Sequence, residues 1–303
     1  MYVADMHCDT AAGLLRGGSL INRYNFSSVF PQLQFAAVFT SAKKMKREER
    51  FKYTVELAKK IECERSSLGL ELVTDRKSLS RAVSNNRSAV LLSIEGGGGL
   101  LADSPELDKL YDLGLRVFGP IWDTNELGTS SYDTVDEGLK DDGVQMIKKC
   151  NEMGIIVDIS HASDRSFWDI AEISDKPFVA THSNFRDVAN NLRNLTRDMA
   201  MEIAERGGVV GLSLYPPHLS GCCRAHFSDI FRQVDYALEN FGEDILAFGF
   251  DIDGTDGEYP IGITEEESIH DTVIRALLSR YERRIVEKIC GANIIAFLER
   301  VFG

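Results

Sequence analysis

Short apolar runs, each followed at once by a histidine or a carboxylate, recur along this chain. Five of them end at His7 and Asp9, Glu95, His161, His182 and Asp251. Apolar runs of this length, bounded by glycine, proline and polar residues, are typical of fully buried parallel strands. If these strands form one closed sheet, their carboxyl ends meet at one mouth. The resulting set of side chains suits divalent metal ions better than a nucleophilic triad.

Alternating strand and helix patterns predict an α/β fold, namely a (β/α)8 TIM-like barrel of the metal-dependent hydrolase type. The eight strand candidates lie near residues 2–7, 34–40, 89–94, 115–121, 155–160, 177–181, 208–214 and 245–250. Helical patterns cover residues 47–69, 141–153, 197–206 and 227–241. No proline-rich or serine-rich linker divides the chain, so we expect one domain over residues 1–303. Its last two helices, within about 264–303, should pack on the barrel.

Composition and charge disfavour several classes of function. The 34 lysines and arginines and the 47 acidic residues give a net charge of −13. This charge argues against binding to nucleic acid or to an anionic membrane. No apolar run approaches the roughly 20 residues of a membrane helix, and the first residues do not resemble a signal peptide. We therefore expect a cytoplasmic protein.

The six cysteines do not form a metal or disulfide motif. They contain no C-x-x-C pair, and six in 303 residues are too few for a disulfide scaffold. Cys8 should point to the face of its strand opposite His7 and Asp9, so it is not counted as a ligand. Cys222 and Cys223 form a vicinal pair in a loop, where oxidation is possible but nothing in the sequence requires it.

The candidate ligands are weak signals singly and stronger together. His7 and Asp9 are two residues apart and share one face of a strand. Each histidine alone could equally be a hydrogen-bonded core residue. Glu95 is more informative, because a carboxylate at the end of an apolar strand is costly unless paired or metal-bound. Five ligand-type residues at the ends of four strands favour a metal site.

Two metal ions could share this set if Glu95 bridges them. One ion would bind His7, Asp9 and one oxygen of Glu95, and the other would bind the second oxygen and the two later histidines. A water held between two zinc ions loses a proton near neutral pH and becomes a nucleophile. Asp251 has no place in either ligand set, and its natural role is that of proton shuttle to the leaving amine.

Seven motifs in order along the chain carry a family resemblance. They are DMHCDT at 5–10, SIEG at 93–96, VDISH at 157–161, THSN at 181–184, RNLT at 193–196, GFDIDG at 249–254 and CGAN at 290–293. With them the chain resembles the renal (membrane) dipeptidase family, the zinc peptidases of the M19 type, as a soluble bacterial-type member. The resemblance implies a (β/α)8 barrel, two zinc ions, hydrolysis of dipeptides and a homodimer.

The resemblance also implies roles on the substrate side. Arg193 matches the arginine that binds the substrate carboxylate, a task suited to the guanidinium fork. Trp122 stands where the animal enzymes have a histidine that helps to hold the scissile carbonyl oxygen. That role could pass to Asn125, to the Trp122 indole or to zinc alone, and Trp122 could instead only shape the pocket.

Several questions stay open on sequence alone. Gly96 to Gly99 could be a loop whose backbone must pass close to the metals or a plain flexible turn. His218, His226 and His270 lie outside the strand ends and are expected in loops or at the surface. The chirality of the dipeptide, including a D-residue at its C-terminal side, is not fixed.

Two other functions compete with a dipeptidase. One is an amidohydrolase-like enzyme acting on non-peptide amides or lactones, and such enzymes commonly begin H-x-H and use a carboxylated lysine bridge. His7-x-Asp9 and the candidate bridge Glu95 disfavour it. The other is a non-catalytic binding protein on a relic barrel, which retention of the five ligands and Asp251 disfavours.

Overall fold

A curled parallel sheet organises the computed structural model, which describes residues 1–103 and 105–303. Its strands are β1 (Val3–Cys8), β2 (Gln32–Phe39), β3 (Glu71–Leu72), β4 (Ala89–Glu95), β5 (Leu115–Phe118), β6 (Ile156–Val157), β7 (Val210–Leu212) and β8 (Leu246–Phe248). They are ordered β6-β5-β4-β2-β1-β8-β7, and β3 pairs with β4 outside this path. All pairings are parallel. The α/β class and the parallel sheet are therefore confirmed.

The expected strand at 177–181 forms single bridges instead of a ladder. Val179 bridges Asp158 after β6, and Ala180 bridges Val210 of β7. The Thr181 amide donates to the Asp158 carboxylate, 2.8 Å away, so a side chain takes this donor instead of a neighbouring strand. The ladders thus form a curled half-barrel, and a complete (β/α)8 barrel is not confirmed.

Helices follow most strands and cover the outside of the sheet. They are α1 (Arg47–Ser67), α2 (Arg76–Ser84), α3 (Glu106–Asp112), α4 (Asp141–Met153), α5 (Asp164–Ile173), α6 (Arg197–Glu205), α7 (Pro216–Leu219), α8 (Phe227–Phe241), α9 (Ile269–Leu278), α10 (Arg283–Glu287) and α11 (Asn293–Val301). Helices α4 and α8 have the bounds expected from the sequence. Gly154 ends α4 with φ 71°, a left-handed conformation that glycine adopts at little cost.

The C-terminal segment differs in detail from the expectation of two helices. It contains α9, α10 and α11, and a π-turn over Lys288–Ala292 joins the last two. Residues 264–267, at the start of this segment, are not helical. Ser268 caps α9 instead, because its hydroxyl accepts from the Asp271 amide.

The core lies between the sheet and the helices, and it places the carboxyl ends of the strands at one mouth. Every residue of β1 and of β4 is buried. Within the described residues the six cysteines form no disulfide. Helices long and apolar enough to cross a lipid bilayer are absent from the described part of the chain.

Candidate metal centre

A buried cluster of imidazoles and carboxylates occupies this mouth. Its members are the five expected ligands and the expected proton shuttle, His7, Asp9, Glu95, His161, His182 and Asp251, each no more than 8% exposed. Three subsets each bring three possible ligand atoms within 4.8 Å of one another: His7–Asp9–Glu95, Glu95–His161–His182 and His7–His182–Asp251. The first two subsets are the ligand sets expected from the sequence.

The two carboxylate oxygens of Glu95 face different histidines. Oε2 lies 3.6 Å from Nε2 of His7. Oε1 lies 2.9 Å from Nε2 of His161 and 3.3 Å from Nε2 of His182. Glu95 ends β4, so its side chain is placed by a strand whose hydrogen bonds fix it from both sides. One carboxylate thus stands between two groups of ligand atoms.

His7 is surrounded by carboxylates. Its Nε2 lies 3.2 Å from Asp9 Oδ2 and 3.8 Å from Asp251 Oδ1, in addition to Glu95. Burial alone would lower the pKa of His7, but Glu95 and Asp9 together raise it well above its ordinary value. Burial raises the pKa of Glu95 and of Asp251. Three buried carboxylates around one imidazole make a site that attracts a cation.

His161 and His182 have the opposite electrostatic state. Burial is the main cause that lowers the pKa of each well below its ordinary value, and the Arg193 guanidinium adds to the effect. Both rings are therefore neutral near pH 7, the form that binds metals. Their Nε2 atoms lie only 2.9 Å apart.

Hydrogen bonds behind the cluster fix the orientation of His182. Thr181 Oγ1 donates to Asp158 Oδ2 over 2.5 Å and lies 2.9 Å from His182 Nδ1. Because the threonine proton is committed to Asp158, its oxygen accepts from Nδ1–H. This tautomer leaves Nε2 free to face the cluster, as in many metal sites.

Asp5 links the two ends of the chain beneath the cluster. Its carboxylate accepts from the amides of His7 and Phe250 and lies 2.7 Å from His270 Nε2. The expectation that His270 and His218 are loop or surface residues is wrong, since they are 0% and 3% exposed. Asp5 within the apolar run of β1 was the available signal, because a buried carboxylate requires a polar partner.

Unusual backbone conformations hold several of these side chains. His161 and Asp251 have φ values of 68° and 62°, which cost energy for non-glycine residues and are common at functional sites. Gly254 must lack a side chain, since a Cβ there would lie 2.2 Å from Asp251 Oδ1 and 2.5 Å from Asp9 Oδ2. The strained loops therefore fit closely around the carboxylates.

The glycine tract after Glu95 is a tightly packed turn. All four residues are buried and have positive φ. A Cβ on Gly96 would lie 2.0 Å from the Thr40 carbonyl oxygen. Of the two interpretations left open by the sequence, this packing argues against the plain flexible turn.

The donor set fits divalent metal ions. Within the described part of the chain, Asp9 Oδ1 and Glu95 Oε1 are buried and accept no hydrogen bond. Buried oxygens without partners are costly and call for an explanation such as a bound ion. Imidazole nitrogens and carboxylate oxygens in this number are the ligands that zinc prefers.

Arg193 lies directly beside the cluster. It is 4% exposed, and its guanidinium donates to Ser183 Oγ over 2.7 Å and to the His182 carbonyl over 2.8 Å. Its Nε is buried and has no hydrogen-bond partner among the described residues. The guanidinium is therefore held in place, and its Nε–H has no partner among the described residues.

Trp122 and Asn125 occupy different positions in the loop after β5. The Trp122 ring is 5.9 Å from that of His161 and 4.8 Å from that of Phe39, as part of an aromatic wall. The Asn125 amide donates to the Pro120 and Gly96 carbonyls. These bonds favour bracing of the loop by Asn125 over the oxyanion contact considered from the sequence.

Sequence reasoning missed two residues at the mouth. The Tyr132 ring lies 5.6 Å from that of His161, and its hydroxyl is 3.5 Å from Nε2 of His218. Neither Tyr132 nor His218 comes directly after an apolar run, so reasoning from strand ends could not find them. The nearest signal is that residues 215–226 follow the strand expected at 208–214, because the mouth lies at the carboxyl ends of the strands.

Comparisons with known proteins give matches along most of the chain. A family model described as membrane dipeptidase (peptidase family M19) matches residues 4–302. A Klebsiella pneumoniae protein named "Uncharacterized protein in pqqA 5'region" is 29% identical over 245 residues, 77% of this chain and 89% of that protein. Mouse dipeptidase 3 is 28% identical over 240 residues, 77% of this chain and 48% of the mouse protein. This chain thus spans about half the length of the mouse relative.

Solved structures share the fold along the whole chain. A metallopeptidase named dipeptidase AC has a TM-score of 0.89 at 24% identity, and the match covers 100% of this chain and 99% of that protein. A Rhodobacter sphaeroides metallopeptidase, solved with a phosphinate mimic of the dipeptide L-Ala-D-Ala, has a TM-score of 0.88 at 22% identity and covers 99% of both chains. On the family match over residues 4–302, this chain belongs to peptidase family M19, the membrane dipeptidases.

Proposed function

We propose that this chain is a zinc-dependent dipeptidase that hydrolyses the peptide bond of dipeptides with a free C-terminal carboxylate. The observation that carries the proposal is the position of Glu95 between two sets of ligand atoms. Membership of family M19 supports the reaction class.

Five residues would hold two zinc ions. His7, Asp9 and Glu95 would hold one ion, and Glu95, His161 and His182 would hold the other. When bound, the ions supply Lewis-acid polarisation of the peptide carbonyl and lower the pKa of water. Thr181 and Asp158 keep the His182 ring in the tautomer that presents Nε2.

Asp251 is the proposed proton shuttle. Its carboxylate lies within the cluster, and burial raises its pKa, which makes it a better proton acceptor than an exposed aspartate. It takes the proton of the attacking water and passes it to the leaving amine. The backbone at Asp251 is left-handed, and the absence of a side chain at Gly254 leaves room for the Asp251 carboxylate.

Arg193 is the proposed reader of the substrate carboxylate. A guanidinium fixed by Ser183 and by the His182 carbonyl stands at a set distance from the ligands. Anchoring one end of the substrate at that distance selects peptides of two residues. Trp122 shapes the wall of the pocket, and Asn125 braces the loop that carries Trp122.

Four finer features belong to the same proposal. The Rhodobacter neighbour binds a mimic of L-Ala-D-Ala, and we extend to this chain a tolerance for a D-residue at the C-terminal side. Residues 177–181 complete the barrel between β6 and β7. The protein is a cytoplasmic homodimer, which cell fractionation and light scattering test.

A panel of dipeptides tests the function. We expect zinc-loaded protein to hydrolyse L-Ala-L-Ala and L-Ala-D-Ala, to leave L-Ala-L-Ala-L-Ala intact and to lose activity after chelation. Zinc-loaded protein that hydrolyses none of the dipeptides would refute the proposal. Hydrolysis of lactones or cyclic amides in its place would support the amidohydrolase alternative.

A further inference from the structure

A tyrosine–histidine pair that the proposed mechanism does not use spans the mouth of the site. Tyr132 lies in the loop between β5 and α4, and its ring packs against those of His161 and Trp122 at 5.6 and 6.1 Å. His218 lies on α7, after β7. The Tyr132 hydroxyl and His218 Nε2 are 3.5 Å apart. Loops from two different strands thus meet above the ligands.

His218 is held rigidly. Its amide donates to the Tyr215 carbonyl, and its own carbonyl accepts from the Asn194 side chain over 2.7 Å. Asn194 follows Arg193, so α7 and the loop that carries the guanidinium are tied together. His218 therefore has a fixed position relative to Arg193 and the cluster.

The surroundings of the His218 ring decide which nitrogen carries its proton. Burial, followed by the charge of Arg193, lowers the pKa of His218 well below its ordinary value, so the ring is neutral. Nδ1 is buried and has no hydrogen-bond partner in the part of the chain that the structure describes. A proton on Nδ1 would be buried without an acceptor, whereas on Nε2 it can be donated to the Tyr132 oxygen.

This arrangement leaves the proton of Tyr132 available. A hydroxyl that accepts a hydrogen bond still has its own O–H to donate. Burial raises the pKa of Tyr132 to about 12, and 47% of the residue stays exposed. Near pH 7 the group is therefore a neutral donor beside the cluster.

Such a donor can accelerate peptide hydrolysis. Negative charge develops on the carbonyl oxygen in the transition state, and a preorganised donor there is among the largest catalytic contributions. Trp122 and Asn125 were the protein groups considered for this role from the sequence. The Asn125 amide is already bonded to the Pro120 and Gly96 carbonyls.

We propose that Tyr132 is a catalytic residue that donates a hydrogen bond to the oxygen of the scissile carbonyl, and that His218 positions its hydroxyl. The proposal rests on the proposed dipeptidase function and adds a residue to it. Tyr132, from the same loop as Trp122, then takes the role of binding the carbonyl oxygen that the sequence left open.

Tyr132→Phe tests the donor in the zinc-loaded enzyme. We expect kcat for L-Ala-D-Ala to fall by about 100-fold to 1000-fold, the usual effect of losing one such donor. KM should change by less than about threefold, because the bond forms mainly in the transition state. The zinc content should be unchanged. Tyr236→Phe is the matched control. Tyr236 lies on α8 and its hydroxyl donates to Asp187, so this variant should keep wild-type kcat.

His218 variants test the positioning role. His218→Gln retains a side-chain N–H donor and should keep most of kcat, whereas His218→Phe should approach the loss of Tyr132→Phe. The double variant Tyr132→Phe/His218→Phe should be no slower than Tyr132→Phe alone, because both changes remove one interaction. A merely structural role would give additive losses.

The outcomes separate this inference from the proposed function. An inactive wild-type zinc enzyme would overturn both. An active wild type with Tyr132→Phe within threefold of its kcat, or with only KM raised, would overturn the role of Tyr132 alone. Additive losses in the double variant would overturn the role of His218.

Discussion

The position of Asp251 allows two roles, that of a metal ligand and that of a proton shuttle. It lies close enough to His7 and His182 to be a third ligand, yet five other residues already form two ligand sets. The proposed mechanism uses it as the proton shuttle. Metal content and turnover therefore respond differently in the two cases.

We predict that Asp251→Asn keeps both zinc ions and lowers kcat by about 100-fold or more, the usual scale for general acid–base catalysis. Asparagine has a similar shape but cannot accept the proton. Elemental analysis and steady-state kinetics on the same preparation give the answer. Loss of zinc from this variant would make Asp251 a ligand.

Arg193 gives a second prediction, because lysine keeps its charge but not its planar fork. Arg193→Lys should reduce kcat/KM sharply for dipeptide acids, because a buried carboxylate that loses its partner costs about 2–5 kcal/mol. The loss for the corresponding dipeptide amide should be much smaller. Parallel kinetics with the two substrates measure the difference.

The His182 carbonyl also accepts from Arg193, so zinc content is the necessary control for this variant. Equal losses for acid and amide would mean that the guanidinium only supports His182. The carboxylate reader would then lie elsewhere.

At the scale of elements, long strands were easier to predict than short ones. Strands β1 and β4 are fully buried and mostly apolar, and their bounds differ little from the expected 2–7 and 89–94. The segment at 177–181 satisfies donors with the side chain of Asp158, which no apolar pattern reveals. The cluster was predictable because it depends on strand ends, whereas Tyr132 and His218 depend on how two loops fold.

Helix α2 offers a test of capping, since Asp75 accepts from the Ser78 amide over 2.7 Å. This hydrogen bond is the main cause that lowers the pKa of Asp75. Asp75→Ala should lower the free energy of unfolding by about 1 kcal/mol at pH 7. The exposed Ser80→Ala on the same helix is the control and should have little effect.

The pH dependence of this difference has a fixed sign. A carboxylate whose pKa is lower in the folded state stabilises it above the unfolded pKa of about 3.9, and the effect is lost as pH falls through the folded pKa. The difference in free energy of unfolding between wild type and Asp75→Ala, measured with denaturant, should therefore shrink below about pH 4. A gap of constant size from pH 7 to pH 3 would show that the carboxylate charge contributes nothing.

At the scale of the whole molecule, the cluster joins distant parts of the chain. His7 lies on the first strand and Asp251 follows the last, and Asp5 bonds to His270 further along. The alternating pattern predicted the parallel sheet and its mouth. It could not predict how far the sheet closes, because closure depends on single bridges at Val179 and Ala180.

We predict that zinc stabilises the whole fold. Ions that bind the native state and not the unfolded chain raise stability by mass action, about 2.7 kcal/mol at 100 times Kd. The Tm of metal-free protein should rise on adding zinc, and Glu95→Ala should abolish most of the rise. A rise that is unchanged in Glu95→Ala would place the stabilising ion outside this cluster.

The most direct test of a dinuclear dipeptidase is the activity of metal-free protein titrated with zinc. L-Ala-D-Ala hydrolysis is followed against equivalents of zinc added per chain, with protein well above Kd. We predict that activity rises to a plateau near two equivalents and that Glu95→Ala stays inactive throughout. Full activity at one equivalent, or no hydrolysis at any zinc concentration, would contradict the account.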